Sequence, residues 1–318
     1  ISAEAVRRGL VDFELQHLSK TAWAFAKVGH ASPELFEAIS VAAARRRLGG
    51  FDEHDLAVTA WAFATAGHAP PELFDAISAE AVRRRLGDFL TKNLSNAAWA
   101  FATAGRNDPE LFEAISAEVL HRPFDTFSAQ SLSNMAWAFA TAGHEAPELF
   151  DAISAEAVRR RLDGFNPQNL ANTAWAFATL GRADLELLNA ISAEAVHRGL
   201  VGFNEQNLSN TVWACATARY ASPELFNAIS AEAVRRGLAC FDAQELSNMA
   251  WAFANAGHAS PELFDAISAE AVRRGLIDFE LQHLSKTAWA FAKMGHASPE
   301  LFDAISAEAV RRGLVDFE

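Results

Sequence analysis

Hydrophobic and polar positions recur along this chain with a fixed step of 38 residues, and the step predicts the same pair of helices eight times over. Each unit opens on a phenylalanine (Phe13, Phe51, Phe89, Phe127, Phe165, Phe203, Phe241 and Phe279) and carries one tryptophan, from Trp23 to Trp289. After the phenylalanine, Leu18, Ala22, Phe25 and Gly29 fall on one side of a helix at 100° per residue, which predicts a first helix, A, with that side inward. A second stripe, Leu35, Phe36, Ile39 and Ala43, predicts helix B. With about 15 residues per helix and short turns, the fold class is all-α, an α-solenoid of tandem helix-turn-helix units, since one such pair cannot bury its apolar face alone. The domain expectation is a single solenoid over 1–318, with repeats starting near residues 13, 51, 89, 127, 165, 203, 241 and 279 and a partial helix B at 1–12.

The helix ends are written in the sequence. Asp52, Ser128, Asn166, Asn204 and Asp242 stand where an N-cap is needed, and Glu245 completes a capping box with Asp242. Glycines at 29, 67, 105, 143, 181, 257 and 295 close helix A as C′ residues, and only Arg219 breaks the series. Helix B opens on Ser-Pro-Glu, as at Ser32-Pro33-Glu34, and ends on arginines, in keeping with the helix dipole. A glutamate four residues before an arginine, such as Glu80 to Arg84, adds an i,i+4 pair.

The same wheel predicts which side of helix A stays open. If Trp23 with Ala26 and Thr21 with Val28 pack against the two neighbouring repeats, the remaining side is His17, Lys20, Ala24 and Lys27, the expected inner surface of a superhelix. Its first position reads His17, Asp55, Asn93, Ser131, Asn169, Asn207, Glu245 and His283. Its second reads Lys20, Val58, Asn96, Asn134, Asn172, Asn210, Asn248 and Lys286. The third is alanine in every copy, from Ala24 to Ala290, which leaves room for a ligand, and the fourth runs Lys27, Thr65, Thr103, Thr141, Thr179, Thr217, Asn255, Lys293. Short hydrogen-bonding side chains that differ between otherwise uniform copies suit a modular reader of a polymer, so the first and second positions, Val58 aside, together with Lys27 and Lys293 of the fourth, are the candidate RNA-binding residues. A solvated face or an asparagine ladder is the plainer account of them. The tryptophan reads as inter-repeat core, with base stacking as the alternative. The residue after the glycine, His30 and its copies, is expected to pack on the end of helix A or to touch phosphate.

Composition narrows the function. A formal net charge of −13 argues against nucleic acid, whose binding rests on neutralising phosphates. More than half of the acidic residues, however, occupy three helix B positions, those of Glu34, Glu37 and Glu80, and four of the five lysines lie on the open stripe. Cys215 and Cys240 read as substitutions in the array rather than a disulfide framework. No apolar run approaches the roughly 18–20 residues of a membrane span. Every histidine, glutamate and arginine that might serve catalysis recurs with the repeat, and no histidines or cysteines cluster as metal ligands, so neither an enzyme nor a metal or other cofactor is expected. Residues 1–14 are identical to 305–318, as expected of a fragment cut mid-repeat, and 1–40 match 267–306 except at three positions, which suggests duplication of a seven-repeat block.

Leu-Ser-Asn-x-Ala-Trp-Ala-Phe-Ala-x-x-Gly-His at Leu132 to His144, followed by Pro-Glu-Leu-Phe at Pro147 to Phe150, resembles the octotricopeptide repeat family. The resemblance covers the whole chain, through the 38-residue length and the Pro-Pro-Glu motif at Pro70, Pro71 and Glu72. It implies a right-handed superhelix that binds single-stranded RNA in a chloroplast or mitochondrion and governs RNA maturation, stability or translation. Related proteins often carry a RAP domain. Eight A helices allow about eight nucleotides at one base per repeat. The alternative is a protein-binding scaffold, because stacked helix pairs offer a concave surface to peptides as readily as to RNA. Neither DNA nor a membrane is an expected partner.

Overall fold

A computed structural model describes residues 10, 13–30, 32–46 and 48–313. The expected partial helix at 1–12 therefore lies outside the described residues, Leu10 aside. The chain divides into two compact units, residues 1–156 and 157–318. Among the described residues there are sixteen α-helices and no strand, and the helices alternate strictly between A and B. In the first unit the A helices are α1 (Leu15–Lys27), α3 (Glu53–Thr65), α5 (Thr91–Thr103) and α7 (Ala129–Thr141). Their B helices are α2 (Pro33–Arg45), α4 (Pro71–Arg83), α6 (Pro109–Leu120) and α8 (Pro147–Arg159), the last of which contains the border. In the second unit the A helices are α9 (Pro167–Thr179), α11 (Glu205–Thr217), α13 (Ala243–Ala256) and α15 (Leu281–Met294). The B helices there are α10 (Leu185–His197), α12 (Pro223–Arg236), α14 (Pro261–Arg274) and α16 (Pro299–Arg312). Tandem helix pairs packed on their sequential neighbours make this an all-α protein of solenoid type.

The capping chemistry holds at the A helices. Asp52, Ser128, Asn166, Asn204 and Asp242 each accept from the backbone N–H three residues on. At the other end Gly29 sits at φ 64°, and the N–H of His30 reaches back to the carbonyl of Phe25 at 3.0 Å, the Schellman pattern. Arg219 takes the same left-handed geometry, φ 55°, without glycine's freedom. The serine caps of helix B are weaker than expected. Ser32, Ser260 and Ser298 make no cap bond, and Ser260 and Ser298 turn instead to the hydroxyls of Ser230 and Ser268 on the preceding B helix.

Two devices fix the loop from helix B to the next helix A. A leucine at positive φ (Leu48, Leu86, Leu162, Leu200 and Leu276) costs about 1–2 kcal/mol of backbone strain, offset by burying a side chain that is at most 2% exposed. The last arginine of helix B reaches the carbonyl of the phenylalanine that opens its own repeat: Arg46 to Phe13 at 2.5 Å, Arg198 to Phe165 at 2.5 Å, Arg236 to Phe203 at 2.6 Å. A glutamate four residues earlier holds that arginine, as Glu194 does Arg198 at 2.6 Å and Glu80 does Arg84 at 2.7 Å. The i,i+4 pair of the sequence is thus part of a buried clamp. Successive repeats are further joined edge to face by Phe36 on Phe63, Phe74 on Phe101 and Phe226 on Phe253, with ring centroids 4.9–5.0 Å apart.

The closest backbone approach in each unit is between successive A helices. It is made by the position predicted to be open: Ala62, Ala100, Ala138, Ala176, Ala214, Ala252 and Ala290 are fully buried, and only Ala24, at the start of the array, is exposed. The side chain there is a methyl because the preceding A helix lies against it. Substituting Ala100 or Ala214 with leucine is therefore expected to cost about 1–3 kcal/mol by overpacking, whereas Ala24→Leu leaves the urea midpoint nearly unchanged.

Acid should loosen the clamps. Glu80, Glu232, Glu270 and Glu308 are held at about 2, first by the hydrogen bond from the arginine three residues on and then by the one four residues on, against opposing desolvation. Because the folded-state value lies below the ordinary 4.5, the clamps contribute stability above that pH and lose it as the pH falls toward 2. Circular dichroism melts between pH 5 and pH 2 should fall steadily, and Glu80→Gln together with Glu232→Gln and Glu270→Gln should flatten the decline.

Candidate functional site

The open side of helix A is displaced by about 50°, half a residue, from its expected setting. Position by position, Leu18, Ala22 and Phe25 face helix B as predicted. The side that meets the following repeat is Ser19 with Ala26, since Ser285 and Ala292, their copies in the last repeat, are exposed while the inner copies are buried. The side that meets the preceding repeat is His17, Thr21 and Ala24 with their copies. Solvent is left with the stripe of Gln16, Lys20, Trp23 and Lys27, spaced i, i+4, i+7, i+11.

This placement corrects the first of the candidate positions. Asp55, Asn93, Ser131, Asn169, Asn207 and His283 are buried, at most 7% exposed, and Glu245 is half-buried. Asn93 aside, their side chains are occupied at the N-terminus of their own helix, Ser131 by the Ser128 hydroxyl at 3.0 Å. Glu245 accepts from the N–H of Asp242 at 2.8 Å, Asn169 from Asn166 at 3.2 Å and Asn207 from Asn204 at 3.3 Å, and His283 Nδ1 accepts from Glu280 at 3.2 Å. Asp55 serves its N-cap and also accepts from Ser19 Oγ of the preceding repeat at 2.5 Å. Asp55, Asn169, Asn207, Glu245 and His283 are capping-box partners, Asn93 and Ser131 are buried at the same position without one, and His17 alone is exposed because it stands in the first described repeat. The variation that singled them out is variation among residues able to accept a backbone N–H.

The second and fourth positions do lie on the open stripe. Asn96, Asn134, Asn172, Asn210 and Asn248 are half-buried, with Val58 among them in the first unit and Lys286 closing the second, where its Nζ donates to Asn248 Oδ1 at 3.3 Å. Thr65, Thr103, Thr141 and Thr179 are exposed, as are Lys20, Lys27 and Lys293. Two members of the stripe are not evident from the helical wheel. The Gln16 position, with His54, Lys92, Gln130, Gln168, Gln206, Gln244 and Gln282, is exposed in every copy. It carries Lys92, so all five lysines of the chain stand on this one face. The tryptophans are the other addition. They are half-buried inside each unit, and Trp23 and Trp289 are 44% exposed. Their rings form a file: Trp61 to Trp99 at 6.4 Å and Trp99 to Trp137 at 6.3 Å, then, within the second unit, Trp175 to Trp213 and Trp213 to Trp251 at 6.5 Å, tilted by 32–35°. Within each unit the indoles of the file pack on one another and stay half-buried. Lys293 Nζ lies 4.6 Å from the Trp289 ring centroid.

In the first unit the stripe forms a groove of ≈ 510 Å³ between Lys20, Trp23, Lys27, His54, Trp61, Lys92 and Asn96. Its charge is positive, because the three lysines outnumber the one carboxylate, Asp55, at its floor. The residue after the glycine lies elsewhere. His68 stacks on Phe36 of the preceding B helix at 5.1 Å, and His258 and His296 bond to Asn227 at 2.9 Å and Asp265 at 2.8 Å. That position is a link between repeats, and burial lowers the His258 pKa. Among the described residues no three metal-ligating side chains converge, and no helix is long and apolar enough to cross a membrane. Cys215 is buried, 3.8 Å from Ser192 Oγ, with its thiol pushed up to about 11 by desolvation, so it packs rather than reacts.

Comparison with known proteins gives one match to a family model, over part of the chain. Residues 123–261 match the family model of RNA-editing substrate-binding complex 6 protein. No curated protein matches the chain. Among solved structures, a crystal structure of an engineered protein from the Northeast Structural Genomics Consortium aligns with a TM-score of 0.48 and 18% identity, covering 100% of this chain and 85% of that one.

The two polar positions separate in their effect on stability. Asn169→Ala, which leaves the Asn166 N–H without its acceptor, is expected to cost roughly 1 kcal/mol. Asn172→Ala, three residues on and facing solvent, should stay within about 0.5 kcal/mol in the same denaturant titration.

Proposed function

We propose that the open face of the A helices binds single-stranded RNA, reading bases with its second-position asparagines and holding the backbone with its lysines. The observation that carries this reading is the composition of one side of the A helices: an aromatic file flanked by amide side chains, with every lysine of an otherwise acidic chain on it. The family match points the same way, since the matched family is described as a component of an RNA-editing substrate-binding complex. The acidic residues of helix B do not oppose it. Those of the Glu80 position are neutralised in clamps, and those of the Glu34 position sit at helix N-termini.

Pitch favours a single strand over a duplex. Neighbouring tryptophans are 6.3–6.5 Å apart, nearly twice the spacing of about 3.4 Å between successive charges on one duplex strand. One base per repeat then requires an unstacked, extended strand whose bases can meet aromatic edges and amides. The chain is a binding protein in this reading, with no catalytic role. Of the finer claims, octotricopeptide membership and an organellar setting rest on the sequence resemblance; the family match is compatible with the mitochondrion and adds nothing for the chloroplast. A protein partner is the second reading, favoured by the exposed acidic residues of helix B, such as Glu37, Asp75 and Asp303.

Selection from a randomised single-stranded RNA pool should enrich a motif of up to about eight nucleotides, and duplex RNA of the same sequence should fail to compete. Changing Lys20, Lys27, Lys92, Lys286 and Lys293 to alanine should weaken all sequences alike and reduce the salt slope by about 0.7 for each phosphate no longer neutralised. Changing Asn96 and Asn134, or Asn210 and Asn248, to alanine should erase preference at two adjacent nucleotides, at about 1–3 kcal/mol each. An unselective pool, with a stoichiometric protein partner that survives nuclease, would favour the second reading.

A further inference from the structure

A uniform array has a difficulty with its ligand. Asn96, Asn134, Asn172 and Asn210 are followed seven residues later by Thr103, Thr141, Thr179 and Thr217, so a strand that slips by one repeat meets the same side chains again. Only departures from the repeat can distinguish one register from the next. In the second unit, apart from Lys286 and Lys293 on its last A helix, a group of them falls at one place. Arg219 replaces the glycine found after the other A helices, Tyr220 replaces the following histidine or arginine, and Asn255 replaces the threonine of the next repeat.

The structure brings these departures together around a cavity of ≈ 430 Å³, lined by Ala216, Arg219, Tyr220, Ala221, Asn255 and Ala256. Its volume is within the range of small-ligand pockets. Arg219 holds a left-handed backbone, φ 55°, that its seven counterparts reach as glycine. The arginines that close helix B are tied to glutamates and loop carbonyls, but the Arg219 guanidinium makes no ion pair or side-chain hydrogen bond among the described residues and is exposed. Asn255 Nδ2 donates to the carbonyl of Ala216 at 3.0 Å, which fixes the amide and leaves Oδ1 as an acceptor. Tyr220 Oη donates to Asn189 Oδ1 at 3.0 Å, so its ring is held as a wall. Beside them the Thr217 hydroxyl is buried without a partner. A helix C-terminus does attract a cation, but that attraction would be served as well by an arginine one position on, beyond the glycine, as Arg106 and Arg182 show.

Resting on the RNA reading above, we infer that Arg219, Asn255 and Tyr220 form a nucleotide-binding site that sets the register of the strand, with a phosphate on the guanidinium and a ribose or base-edge donor on Asn255 Oδ1. The guanidinium fork suits a phosphate held bidentately, which a lysine would hold only as a point charge.

The test uses the full chain and the RNA selected by it, carrying a photocrosslinking nucleotide at each position in turn. Wild type should crosslink each nucleotide to one repeat. Arg219→Gly should lower affinity about tenfold and spread each crosslink over two or more neighbouring repeats, while its melting temperature stays equal or rises because the left-handed strain is relieved. Arg219→Lys should keep the salt slope and still lose the single register. If Arg219→Gly binds as tightly as wild type in one register, the inference is overturned and RNA binding stands. If wild type selects no RNA at all, the RNA reading falls and this site with it.

Discussion

The structure of both units depends on how closely one A helix can approach the next. A methyl at the Ala24 position, with only serine or alanine at the Ser19 and Ala26 positions on the neighbouring A helix, lets the two backbones come close together. At that distance the rest of the wheel has no freedom. The residue at N3 is pressed against its own helix start and must be able to accept an N–H. The tryptophan cannot fit between the helices and is turned to the edge, where it meets the next tryptophan instead. The open face is what remains when these requirements are met.

The B helices are joined differently, and this separates structure from ligand surface within each unit. Phenylalanines alternate edge to face between B and A helices, histidines bridge to the preceding repeat, and glutamate-clamped arginines hold the loop carbonyls. The glutamates of the Glu80 position and the arginines that close helix B are consumed in these links. Where one link changes, its partner changes too. Leu188 stands in place of the helix B phenylalanine where Cys215 replaces the helix A phenylalanine, and Tyr220 beside them takes the place of the smaller histidine. The sixth repeat is thus a compensated variation of packing that also exposes a guanidinium.

For function, the useful consequence is that variation in a repeat has two origins. At the first position it reflects, in five of the copies, a capping requirement that aspartate, asparagine, glutamate and histidine all satisfy. At the second position no backbone group explains the asparagines, which are half-exposed beside an aromatic file. Burial separates the two sets, so the asparagines of the second position are the ones left to meet a ligand.

The sequence by itself determined the helix pair, its period, the A-helix caps, the left-handed glycines and the inward stripes, because each of these is a local property: a hydrogen bond within four residues or a periodicity within one helix. It also determined that asparagines, threonines and lysines share a face. Only the tertiary structure decided where that face begins and ends. Adjacent residues on a helix differ by 100°, but the expected stripe 17, 20, 24, 27 and the observed stripe 16, 20, 23, 27 share two residues, and their mean directions differ by only about 50°. Alanine reads equally well as spare room or as close contact, and tryptophan as core or as surface. What resolves both is the distance to a neighbouring helix 38 residues away in the chain, a quantity that no local pattern contains.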